Sequence, residues 1–259
     1  MTPTTTVLLG GWIVAFAFGA IASRSNFCTM GAVADVVNMG HWGRARSWLL
    51  ALAVAVLGSN LMYMAGWVDL SQSVYHRPVI PWLSLLAGGA VFGIGMTLAG
   101  GCPNKNLVRL GQGSMRALVV LVFLGLAGYM TLKGIFAQWR SDYLDPVVLD
   151  VSGLGLRTLS IPSLLSSGTG WPLEQSVMAS MVLVAGGLLM FVLADRDFRS
   201  QPGQVASATA LGLLITAGWY ITGHLGYGES EETLETVYFA TNTRTLESLT
   251  FVGPVAYTL

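Results

Sequence analysis

Six apolar runs, at about 7–23, 47–66, 82–100, 115–136, 175–194 and 204–223, constrain this chain more than any other feature. Each is long enough to cross the ~30 Å hydrocarbon core of a bilayer as a helix. Composition agrees: 53% of the 259 residues are hydrophobic and 10% are charged, with a mean hydropathy of +0.64. Those values mark a polytopic membrane protein rather than a soluble globule. A formal net charge of zero removes the electrostatic case for nucleic acid. The opening MTPTTT has no basic region before the first apolar run, so that run reads as a spanning helix and not as a cleaved signal peptide.

Between the first two runs lies SRSNFCTMGAVADVVNMGHWGRAR, too short and polar to span. Within it, Phe27 to Val37 is apolar enough for a re-entrant half-helix. Broken backbone at membrane depth is tolerated only where protein buries it or it lines a water-filled cavity. The second break is sharper. In Gly88 to Gly113, GGAVFGIGMTLAGGCPNKNLVRLGQG, an apolar helix stops at Gly100-Gly101, presents Cys102 and restarts at Pro103. Proline is favoured at a first helical position, where its missing N–H would be unsatisfied anyway. Cys102 therefore falls at an N-cap, its thiol beside free backbone N–H groups at the positive end of a short helix, a setting suited to an anion. An offset of 74 superposes Phe18-Gly19 and Cys28 on Phe92-Gly93 and Cys102. Helix, Cys loop, helix thus occurs twice within 7–136.

The rest of the chain departs from this pattern. Residues 137–174 form a long connection whose prolines, serines and glycines suit a folded cap or a short interfacial element. The fifth run has no Cys loop after it, and one unpaired helix presents the remainder of the chain to the membrane from the opposite face. After the sixth run an acidic segment leads into SLTFVGPVAYTL, where Ser248 to Pro254 reads as another re-entrant element. A loop aimed into the membrane with no helix after it is a poor ending, so the sequence reads as truncated or as half of a larger unit. The expected organisation is a first repeat half at 1–140, an extracytoplasmic connection at 141–174 and the start of a second half at 175–259. The expected fold class is an all-α polytopic membrane protein with about six spanning helices plus re-entrant Cys-bearing loops. It would be part of an inverted-repeat transporter fold whose C-terminal part is missing.

Lys and Arg set the expected orientation. The loops after the first, third and fifth runs carry Arg24, Arg44, Arg46, Lys105, Arg109, Arg116, Arg196 and Arg199. The other side carries Arg77, Lys133, Arg140, Arg157 and Arg244, together with ten of the thirteen acids. Eight against five puts the first set in the cytoplasm and the N-terminus outside.

Cys28 and Cys102 are the only cysteines and form no CxxC, so neither a disulfide framework nor a zinc site is indicated. A single disulfide between them stays open. Taken alone, a cysteine in a membrane helix is a small packing residue. Here both flank a break at repeat-equivalent places, which favours a functional thiol pair. Asp35 and Lys105 lie inside the half-helices, and ionisable groups at membrane depth are functional by default; Asp35 at the cytoplasmic rim is the alternative. The four-residue spacing of Gly11, Ala15, Gly19 and Ser23, and of Gly89 and Gly93, predicts close helix packing that makes the first and third spans central. Met30 and Met96 are near enough to the breaks to line a path. His41, His76 and His224 are scattered and suggest no metal. Tryptophans 42, 48, 67, 82, 139 and 171 sit near span ends, as an aromatic belt does.

At SRSNFCTMGAVAD and GGCPNKNLVRLGQGS the chain resembles the YeeE/YedE sulfur-transport family, and SLTFVGP is similar to that family's second half. The resemblance implies loops entering from both faces to meet midway, uptake of thiosulfate, and cysteines that relay it by S–H···S contacts. Cys28 and Cys102 match the first two relay positions, and the third, in a later Gly-Cys motif, would fall beyond Leu259. The expected binding residues are Arg24, Asn26, Cys28, Thr29, Cys102, Pro103, Asn104 and Lys105. The expected function is a bacterial inner-membrane permease for thiosulfate or a related small sulfur anion. It would use no cofactor, sit in membrane lipid and pass cargo to a small soluble TusA-like sulfur carrier. The alternative is a membrane-bound thiol or persulfide enzyme, for which no Ser/His/Asp-like set is present.

Overall fold

All six apolar runs form helices long enough to span a bilayer, in a computed structural model that describes residues 2–73, 75–76, 79–150, 158, 160–229, 236–241, 243 and 245–258. In chain order the first helices are α1 (Pro3–Ser25), α2 (Thr29–Met39), α3 (Gly43–Met64), α4 (Trp82–Leu98), α5 (Pro103–Gly111) and α6 (Met115–Lys133). Then come α7 (Ile135–Trp139), α8 (Ile161–Thr169), α9 (Leu173–Leu193), α10 (Arg196–Arg199), α11 (Pro202–Tyr220) and α12 (Val252–Thr258). The short helices α2 and α5 occupy the two breaks, each directly after a cysteine. The long connection contributes α7 and α8. Arg77, Arg157, Arg244 and the acidic residues 231, 232 and 235 lie outside the described residues.

Helix α3 is the hub, packed against α11, α9 and α2, while α1 leans on α11 and α12 leans on α6. Two glycines allow the α3–α11 approach. A Cβ on Gly212 would sit 2.6 Å from the Ala51 carbonyl oxygen, and one on Gly58 would strike the Thr216 side chain, its Cγ2 at 2.7 Å. Phe18, Ala22, Ala51 and Leu211 form one buried cluster, and Leu50, Val192, Phe198 and Ala208 form another. At the end where α3 starts, Arg46 pairs with Asp195 at 2.8 Å, and Asp195 also caps α10 through the Phe198 N–H.

The opposite end is tied by short pairings. Strand β1 (Val79–Ile80) pairs antiparallel with β2 (Leu149–Asp150), and β3 (Tyr227–Glu229) pairs antiparallel with β4 (Thr236–Tyr238). A lone bridge joins Ser73 to Leu246, and the His224 ring meets the Trp67 carbonyl at 3.1 Å.

The small-residue spacing on α1 and α4 does not make the contacts expected of it. A Cβ added at Gly11, Gly19, Gly89 or Gly93 meets no atom within 4 Å, and α4 has no buried residue. Of the two stripes only Ser23 meets another described element, accepting from Gln112 Nε2 at 3.1 Å. Close approach is built instead by Gly58 and by the buried four-residue stripe Ala208, Gly212 and Thr216 on α11.

Candidate functional site: a thiol pair at the end of an apolar cavity

Two matching helix ends create the site. Helix α1 closes with Asn26 in the left-handed region (φ 51°), the N–H groups of Asn26 and Phe27 both reaching the Ala22 carbonyl. Helix α4 closes with Gly100 at φ 66°, where Gly101 N–H bonds Met96 O at 3.1 Å and Gly100 N–H bonds Thr97 O at 3.2 Å. Both are Schellman-type stops, which need a residue tolerant of positive φ; glycine and, less freely, asparagine meet that need. Asn26 and Gly100 are themselves related by the offset of 74. Two residues after each stop, the cysteine adopts extended backbone at the N-cap of the next short helix: Cys28 for α2 and Cys102 for α5.

The two N-caps meet. Their sulfurs lie 3.4 Å apart, within hydrogen-bond reach for thiols and far beyond the about 2.0 Å of a disulfide. Both thiols are free and buried. Cys28 Sγ accepts the Gly31 N–H at 3.4 Å, whereas the Cys102 side chain caps no N–H of α5. The junction is held by buried amides. Asn106 Nδ2 donates to the carbonyls of Gly101 (3.1 Å) and Cys102 (3.3 Å), and Asn104 Nδ2 donates to Phe27 O at 3.4 Å.

A cavity of about 430 Å³ reaches the Cys102 member of this pair. Its walls are mostly apolar and aromatic, with Phe18, Trp48 and Phe92 prominent, and its polar groups are Thr29, Cys102, Asn104, Tyr75 and Thr250. Among the described residues no charged side chain lines it. Cys102 is exposed to the cavity, while Cys28 lies behind it and is not in the lining. The stretch Leu249–Val252, leading into α12, forms the far wall. It is pinned to α11 by Ser248 Oγ donating to Ile215 O at 2.7 Å, and to the turn after α11 by the Thr222 hydroxyl on Glu247 O.

Of the eight residues expected from sequence, the structure gathers five here: Cys28, Cys102, Thr29, Pro103 and Asn104. Asn26 and Lys105 bond each other at 2.8 Å on an exposed rim, and neither lines the cavity. Arg24 is exposed on the last turn of α1, outside the lining. Met96 lines the cavity and Met30 does not. Sequence reasoning missed Asn106 and the aromatic walls, because an asparagine four residues after a cysteine and scattered aromatics carry no pattern of their own. It did mark SLTFVGP, without assigning Thr250 and Phe251 to a wall. Among the described residues no group of His, Cys, Asp and Glu is arranged to hold a metal.

Comparison with known proteins converges on the same reading. A family model described as Sulphur transport matches residues 24–259. The thiosulfate transporter TsuA of Spirochaeta thermophila is 30% identical over 131 residues, covering 51% of this chain and 38% of that protein. TsuA of Escherichia coli is 28% identical over 139 residues, 54% of this chain and 37% of that protein. The probable transporter YedE of Escherichia coli is 25% identical over 195 residues, 74% of this chain and 43% of that one. The matched stretches thus span less than half the length of each relative. With six helices fit to span a bilayer and a family match that runs through both cysteine motifs, this chain is a multi-pass membrane protein of the Sulphur transport family, YeeE/YedE.

Proposed function

We propose that the chain forms the substrate path of a permease for thiosulfate or a similar small sulfur anion, with Cys102 and Cys28 as successive donors. One observation carries this reading: a cavity with no charged group among its described lining residues is bordered by the Cys102 thiol, whose sulfur touches that of Cys28, each cysteine at the start of a short helix. A dianion entering so apolar a space must exchange water for donors. The Cys102 thiol, the first-turn N–H groups of α5, and the hydroxyls of Thr29 and Thr250 offer them without a fixed charge to trap the ion. Weak donors in series let an ion leave as well as enter. The order in space, cavity then Cys102 then Cys28, supports a relay that uses the two thiols in succession.

The finer features form one scheme. The cavity opens toward the extracytoplasmic face, the N-terminus is outside, and the membrane is the bacterial inner membrane. Residues 1–140 form one repeat half, and 175–259 begin its inverted counterpart. On the cytoplasmic side a small TusA-like carrier takes the sulfur. The test is uptake of thiosulfate labelled with ³⁵S at both sulfurs by cells that lack other importers and express the chain. Accumulation of intact thiosulfate supports the proposal. Cells that express the protein in the membrane and take up no label refute it.

A further inference from the structure

Asp35 is the one charged side chain among the described residues that is buried, 4% exposed on the second turn of α2. A buried carboxylate is tolerated only when paired and hydrogen-bonded. Its partner is Arg44 in the first turn of α3, which grips both carboxylate oxygens: Nε on Oδ2 and Nη2 on Oδ1, the latter at 2.6 Å. Gly40 in the left-handed region (φ 66°) closes α2 and turns the chain back so that the two residues meet. Two parallel bonds of this kind fix orientation as well as distance.

The third guanidinium nitrogen lies against the first turn of α2. The point where a Gly31 Cβ would sit is 2.5 Å from Arg44 Nη1 and 3.6 Å from Cys28 Cβ. The guanidinium and the Cys28 side chain therefore flank one small hole, separated by no more than the sum of those distances. Gly31 is also the residue whose N–H donates to Cys28 Sγ. Arg44 thus holds α2 at two points, Gly31 on its first turn and Asp35 on its second, and ties it to α3, whose Trp48, Ala51 and Leu52 form a cavity wall.

We infer that Asp35 and Arg44 are positioning residues that hold Cys28 against Cys102, and that position 31 is glycine because a side chain there would displace the guanidinium. The inference deepens the transport reading and rests on it for its purpose, while its geometry is testable without transport. The probe is diamide applied to membranes carrying the full chain. The two thiols give up two electrons and two protons to the diazene, which leaves as the hydrazine, and one S–S bond forms. These being the only cysteines, the intramolecular product is unambiguous by mass.

Asp35→Asn and Arg44→Met are expected to slow cross-linking about tenfold at equal protein in the membrane, since ångström-scale misplacement of reacting groups costs that or more. Arg44→Lys keeps the charge but loses the fork, and should fall between. Arg46→Met, which breaks the neighbouring pair with Asp195, should react at the wild-type rate. Should the pair variants fail to reach the membrane, Gly31→Ala keeps both charges, moves only the guanidinium, and should also slow the reaction. Wild-type rates in the variants that reach the membrane, or an equal loss in Arg46→Met, overturn the inference. If wild type cross-links and the variants are slow, yet wild type takes up no thiosulfate, the transport reading fails and the positioning role stands. If uptake is normal and cross-linking is unchanged in every variant, the reverse holds.

Discussion

The contact between Gly218 on α11 and Ser248 is a sharp test of how the far cavity wall is held. A Cβ built on Gly218 falls 2.6 Å from Ser248 Oγ, while the next nearest atoms, Leu249 N and Ser248 Cα, are at 3.5 Å, an ordinary separation. In Gly218→Ala the hydroxyl must therefore swing away, which breaks its bond to Ile215 O. One hydrogen bond contributes about 0.5–1.5 kcal/mol net, so the variant should lose roughly 1 kcal/mol. Ser248→Ala loses the same bond and should cost the same. The double variant should cost no more than either single, because without Oγ the new methyl has room. The predicted coupling is thus about 1 kcal/mol, well outside the about 0.3–0.5 kcal/mol within which independent sites add. Reversible unfolding in mixed detergent, run on all four proteins of the cycle, measures it. Additive losses would show that Ser248 does not sit against Gly218.

Gly100→Ala forces a side chain into the left-handed region with only an ordinary contact, Arg109 Nη1 at 3.9 Å, so its cost is conformational, about 1–2 kcal/mol, whereas Asn26→Gly at the matching stop should be neutral or mildly stabilising. The same unfolding assay reads both. Asn106→Ala removes both donors that tie Gly101 O and Cys102 O, leaving buried carbonyls short of partners at about 1–3 kcal/mol in total, and thiosulfate uptake should drop with it. Lys105→Ala breaks only the exposed bond to Asn26, so stability should change by less than about 0.5 kcal/mol, and uptake should remain within about twofold of wild type.

What the sequence made legible was the chain's one-dimensional order. Long apolar runs, the Gly-Gly-Cys-Pro stop and the offset between the cysteines located every spanning helix and the two short helices after the cysteines, because bilayer thickness and proline and glycine geometry act locally. Side-chain convergence was not legible. Asp35 stood out as an ionisable residue in an apolar stretch, yet its partner nine positions on depends on the turn at Gly40. The sequence places Asn26 and Lys105 beside the cysteines, but not their bond to each other outside the cavity lining, which depends on the left-handed turn at Asn26. At α1 and α4 a four-residue stripe of small residues predicts a neighbour only where the fold supplies one: Ser23 meets Gln112, whereas Gly11, Gly19, Gly89 and Gly93 meet none of the described elements.

The central claim is that the touching thiols hand the anion onward, and the most direct measurement is labelled thiosulfate uptake by Cys28→Ala and Cys102→Ala at matched protein in the membrane. If the sulfurs only fill space, each truncation costs about 1 kcal/mol of stability and uptake continues. If each is a donor at a desolvated step, its loss leaves a charged group short of one hydrogen bond, about 1.5–3 kcal/mol. On a rate-limiting barrier that is about 10- to 150-fold in rate. Serine in place of either cysteine keeps a shorter donor and should restore part of the loss. The account predicts uptake reduced by that factor in both alanine variants, with protein levels unchanged; wild-type uptake in either would contradict it.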